Sequence, residues 1–93
     1  PKFIDMSGNA EEAAVKGVAG AAGSAMSMNY AARKADATKG VAVDDCEDIS
    51  SLLQSVLLSE YTITGGAIAA DGTTTCTVTK NGKSATFEGL GIS

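Results

Sequence analysis

The sequence predicts an α+β fold: a long N-terminal helix and a short second helix packed on a three-stranded antiparallel sheet. Three observations carry that prediction. The stretch Ala10 to Lys34 has no proline and is dominated by alanine, the best helix former. Ile49, Leu52, Leu53, Val56 and Leu57 fall at i, i+3, i+4, i+7 and i+8, an amphipathic helical pattern. From Tyr61 onward the chain is threonine-rich and alternating, broken by Asp71–Gly72 and Asn81–Gly82, which are hairpin-turn signals.

In the first helix Ala14, Val18, Ala21, Ala25, Met28 and Ala32 recur at three- and four-residue steps and define one apolar stripe. Glu12 and Lys16 stand four apart in the favourable order. Asn9 with Glu12 resembles a capping box, Ser7 is the rival cap, and the helix has room to extend back toward Phe3. Pro1 is tolerated at or before a first turn. The glycines are unusual, since each costs roughly 0.5–1 kcal/mol against alanine within a helix. Gly17, Gly20, Ala21, Gly23 and Ser24 form a smooth, small-residue face. Two readings of it stand: close packing on the domain's own sheet, and close packing between helices of neighbouring subunits.

Ala35 to Asp44 lacks helical periodicity and reads as a loop. The second helix opens at Asp44 or Asp45, with Glu47 and Asp48 in a first turn that favours acids. Asp44, Asp45, Glu47 and Asp48 form the one acidic cluster. Carboxylates at this density suit calcium, but the spacing is not that of an EF-hand loop, and helix capping is the simpler reading. Strands follow at Tyr61–Thr64, at Ala67–Ala69 beyond a Gly65–Gly66 bulge, at Thr73–Thr79 and at Ser84–Glu88. Cys76 and Val78 share one strand face.

Ninety-three residues make one domain, with residues 1–35 as long helix, 36–59 as loop and second helix, and 60–93 as meander. Much of the 44% hydrophobic content is alanine, tryptophan is absent, and the aromatics are Phe3, Tyr30, Tyr61 and Phe87, so the core is thin. A Cys46–Cys76 disulfide would staple the short helix to the sheet and suits an oxidising compartment; two buried free thiols are the alternative. The net charge of −4 disfavours nucleic acid. Arg33, Lys34 and Lys39 read as a solvated helix end, and only a chance cluster with Lys80 and Lys83 would change that. No apolar run is long enough to span a membrane, and no signal-peptide pattern opens the chain. Histidine is absent, which removes histidine-based triads and metal sites. No catalytic residue, metal or cofactor is expected.

Pro1-Lys2-Phe3-Ile4-Asp5-Met6-Ser7, Ala13-Ala14-Val15-Lys16-Gly17-Val18-Ala19-Gly20-Ala21, Asn29-Tyr30-Ala31-Ala32-Arg33 and the closing Ala85-Thr86-Phe87-Glu88-Gly89-Leu90-Gly91-Ile92-Ser93 resemble segments of type IV pilins of the mannose-sensitive haemagglutinin kind. The resemblance is specific through about residue 34 and looser in the middle. The family's cleavage site and apolar arm are not in this sequence, and the resemblance puts them upstream of Pro1, removed to give a soluble truncated form. It implies a structural subunit of an adhesive or motility pilus that acts by polymerisation. Its partners would be copies of itself, other pilins and inner-membrane assembly machinery, with membrane contact only through the arm. The location implied is an extracellular filament of a Gram-negative bacterium, after an inner-membrane stage. A pseudopilin of a type II secretion system shares the fold and is the alternative. A free-standing ligand-binding module is the alternative from another class.

Overall fold

The computed structural model describes residues 7–54 and 59–93. Helix α1 spans Ser7–Ala35. At 1.5 Å per residue it is about 43 Å long. A 3-10 helix follows at Cys46–Ser51. Three strands, β1 (Thr62–Thr64), β2 (Thr73–Lys80) and β3 (Lys83–Leu90), form an antiparallel sheet in the order β1-β2-β3. This is the predicted α+β arrangement of a long helix on a three-stranded meander.

The core lies between α1 and the inner face of the sheet. Val15, Ala19, Ala22 and Met26 are buried from the helix, and Val78, Cys76 and Phe87 from the strands. The sequence placed the apolar stripe one position away. Ala14 and Ala21 are exposed, Met28 is 72% exposed, and Val18 and Ala25 only flank the core. With alanine on every side of α1, the larger Val15 and Met26 fix the phase. Asn9 lies within α1 and is not its cap. The Glu12–Lys16 pair forms at 3.1 Å and holds the Glu12 carboxyl below its usual range.

The second helix differs most from expectation. Among the described residues it is a 3-10 segment over Cys46–Ser51, not an amphipathic α-helix. Its first residue, Cys46, is fixed twice: its N–H donates to the Gly66 carbonyl, and its sulfur is bonded to Cys76. Leu52 N–H then closes on the Ile49 carbonyl, three residues back. Ile49 is buried, Leu52 and Leu53 are half-buried, and Val56 and Leu57 lie outside the described residues.

Thr73 to Lys80 pairs fully with Lys83 to Leu90, from Thr73↔Leu90 to Lys80↔Lys83. Asn81 and Gly82 close the hairpin with φ of 51° and 77°. Both values are positive, as the two-residue turn that matches strand twist requires. Asp71 also has positive φ, 61°, but its turn ends a longer connection between β1 and β2. The expected strand Ala67–Ala69 is reduced to one bridge, Ala67 with Asp45. The last residues are clamped on both sides. Ile92 exchanges hydrogen bonds with Val43, Gly91 N–H donates to the Gly72 carbonyl, and Gly91 C=O accepts from Asp71 N–H. A Cβ at Gly91 would overlap the Ala69 carbonyl oxygen.

Candidate functional site

Successive helical residues turn by about 100°, so the positions opposite Val15, Ala22 and Met26 can be read off directly. They are Ala13, Gly17, Gly20, Ala21, Ser24 and Met28, all exposed. From Gly17 to Ala32 the chain has no charged residue at all. A solvated helix face is ordinarily charged or polar. Here it is uncharged and nearly smooth, with Met28 as its one large side chain.

Gly17, Gly20 and Gly23 of α1 differ in kind. A Cβ at Gly23 would touch Phe87 at an ordinary 3.7 Å, so Gly23 belongs to the contact with β3. Among the described residues, a Cβ at Gly17 or Gly20 would meet nothing within 4 Å. Neither has a positive φ. The domain's own packing therefore gives no reason for glycine at 17 and 20, although each weakens the helix. Gly17→Ala and Gly20→Ala are each expected to raise the stability of the isolated domain by about 0.5–1 kcal/mol. Urea unfolding of the single variants checks this.

The opposite flank of α1 ties the helix to the rest of the chain. Asn29 is 5% exposed and pairs with one residue: its Nδ2 donates to the Val41 carbonyl at 3.0 Å, and its Oδ1 accepts from Val41 N–H at 2.8 Å. Arg33 is not a free solvated cation. Its Nε donates to the Ser93 carbonyl, and its Nη1 to the carbonyls of Ala37 and Lys39. It satisfies loop carbonyls just beyond the helix C-terminus, where a cation also suits the dipole. None of these partners was legible in the sequence. The sequence read Arg33 as part of a solvated helix end and assigned Asn29 no role.

Lys34 and Tyr30 converge on Asp71. Lys34 Nζ lies 2.7 Å from Asp71 Oδ1, and the Tyr30 hydroxyl donates to the same oxygen at 2.9 Å. The ammonium first, and the phenol second, hold the Asp71 carboxyl below its usual range. The same contact raises Lys34 and Tyr30. A depressed folded value means a contribution present above the unfolded aspartate range and lost as pH falls through the folded one. Asp71→Asn is expected to flatten that acid limb of the stability curve. The group is solvent-exposed, so the effect is small. An NMR titration of the Asp71 carboxyl checks the direction.

The acidic cluster forms a capping box. Asp45 accepts from Glu47 N–H at 3.0 Å, and Asp48 Oδ2 accepts from the N–H groups of Asp44 and Asp45. Two of the four carboxylates are thus committed to backbone donors. Among the described residues, no group of three acids, cysteines or histidines is placed to hold a metal. Two shallow depressions flank this segment. One, of about 520 Å³, is lined by Val43, Asp44, Asp48 and Ile92, and one, of about 440 Å³, by Glu47, Tyr61 and Ile63. Neither has an unpartnered buried side-chain polar atom among the described residues. Cys46 and Cys76 are bonded and fully buried, with Cα atoms 5.7 Å apart. Among the described residues, no helix is long and apolar enough to cross a membrane.

In comparisons with known proteins, no family model, no curated protein and no solved structure matches this chain.

Proposed function

We propose that this chain is the globular part of a filament subunit of the type IV pilin kind, which acts by polymerising rather than by catalysis. One observation carries the reading: α1 turns an uncharged face toward solvent, with glycines at 17 and 20 that the domain itself does not need. Small residues let helix backbones approach closely, and without charges no ion need be desolvated at the contact. The arrangement of one long helix against an antiparallel meander supports the same reading. The resemblance of the helix and of the closing segment to pilins adds to it. The partners are then other copies of the chain, related pilins and an inner-membrane assembly apparatus, with an apolar arm ahead of Pro1 as the membrane anchor.

The test is a charge placed on the face. Gly20→Glu has open space around it and leaves the domain's core untouched. In producing cells it is expected to abolish or sharply reduce filaments, while the purified domain melts no lower than wild type. Normal filament yield from Gly20→Glu would contradict the reading. Immunogold labelling with antibodies to the purified chain separates the two filament types. Label along long surface filaments fits the pilus. Label confined to the periplasm fits the secretion pseudopilin. Label on no filament at all opposes both.

A further inference from the structure

We infer that Asn81–Gly82 is a self-modification site, at which the chain converts its own asparagine to aspartate or isoaspartate and thereby unties the tip of the β2–β3 hairpin from α1. The chemistry needs no enzyme. The Gly82 backbone nitrogen, losing its proton to solvent, attacks the Asn81 side-chain carbonyl carbon. A carbon–nitrogen bond forms, the side-chain amide leaves as ammonia, and a five-membered imide results. Water then opens the imide at either carbonyl, giving aspartate or isoaspartate, with no oxidation or reduction. Glycine at the second position is what makes the attack easy, since no side chain shields its nitrogen.

The structure places this pair where the reaction can run and where it has a consequence. Asn81 and Gly82 are exposed at the tip of the hairpin, and a Cβ at Gly82 would meet nothing within 4 Å. Ring closure requires the Asn81 side chain to swing from Glu11 onto the Gly82 nitrogen. Beyond the Lys80↔Lys83 pair, a side-chain hydrogen bond ties the tip to another element. Tips of this kind open at little cost compared with global unfolding. That hydrogen bond runs from Asn81 Nδ2 to Glu11 Oε1 on α1, at 3.1 Å across 70 residues. The reaction removes the donor itself. It leaves a carboxylate facing the Glu11 carboxylate, so a tie becomes a repulsion.

The chain carries its own controls. Asn9 precedes Ala10 and is exposed within α1. Asn29 precedes Tyr30, is buried, and has its amide and carbonyl both bonded to Val41. The folded, disulfide-intact protein is incubated in mildly alkaline buffer and mapped by mass spectrometry after cleavage at glutamate. Asn81 is expected to convert several-fold faster than Asn9, with isoaspartate among the products, while Asn29 persists. Equal survival of Asn81 and Asn9 would overturn the site. The consequence has its own readout. Asn81→Asp is expected to lower the melting temperature by a few degrees in the wild-type background. Combined with Glu11→Gln, which offers an uncharged partner, the loss should disappear. An unchanged melting temperature for Asn81→Asp, or a loss that persists beside Glu11→Gln, would overturn the claim that the hairpin tip is untied.

Discussion

Removing the Cys46–Cys76 bridge is expected to destabilise the domain by about 3–4 kcal/mol in the chain-entropy model. The bridge closes a loop of sequence separation 30 between the 3-10 helix and the middle of β2. Without it the unfolded chain regains the freedom that the loop removes. The loss is a large share of the roughly 5–15 kcal/mol typical of a folded domain. It corresponds to a melting temperature lower by on the order of 15–25 °C at this size. The surroundings leave little slack. A Cβ at Gly65 would overlap Cys46 Sγ, and one at Gly89 would come within 2.8 Å of Cys76 Sγ. The site is therefore filled once the sulfurs are bonded. Urea unfolding with and without reductant measures the effect, and Cys46→Ala with Cys76→Ala repeats it without thiols. Thiol labelling of the native protein should fail until reductant is added. A midpoint unmoved by reduction would show that the sheet holds the 3-10 helix unaided.

Asn29→Ala is expected to cost about 2–4 kcal/mol, because it strands two backbone groups at once. The Val41 N–H and C=O have Asn29 as their partner in the fold, and the residue is half-buried. A single amide side chain here does what a neighbouring strand would do: it accepts from one peptide group and donates to the same residue. Asn29→Asp separates the two halves. It keeps the acceptor for Val41 N–H but turns a carboxylate oxygen toward the Val41 carbonyl, so most of the loss should remain. Gly40→Ala attacks the same site from the other side. Its φ is +66°, and a Cβ would sit 2.5 Å from Asn29 Oδ1. Hydrogen exchange at Val41 N–H checks both variants: its protection should fall much further than that of the β2–β3 ladder.

The difference between the legible and illegible parts of this fold has a physical cause. The β2–β3 hairpin was readable because Asn81–Gly82 permits few geometries, and because Cys76 and Val78 mark an inner face at period two. The long helix was readable by composition. Its orientation was not, since alanine fits either face and carries little burial energy to decide between them. The Ile49-Leu52-Leu53 pattern predicted a helix of the wrong kind. Periodicity cannot register that Cys46 is held by Gly66 and Cys76 before the segment begins. The small-residue face was visible as a run of residues, but which of its glycines faced outward was not. Gly23 lies on Phe87, while Gly17 and Gly20 face open space among the described residues. Asn29, Arg33 and Asp71 were missed as tethers, because their partners are loop carbonyls, loop amides and a lysine whose positions only the fold supplies.

We propose that copies of this chain meet through the outward face of α1. Cryo-electron microscopy of filaments sheared from producing cells tests it most directly. The expected result is subunit density that fits one long helix on a three-stranded sheet, with Gly17, Gly20 and Ser24 buried against neighbouring helices and the sheet turned outward. Filaments without density for this fold, or with that helix face on the outer surface, would contradict it.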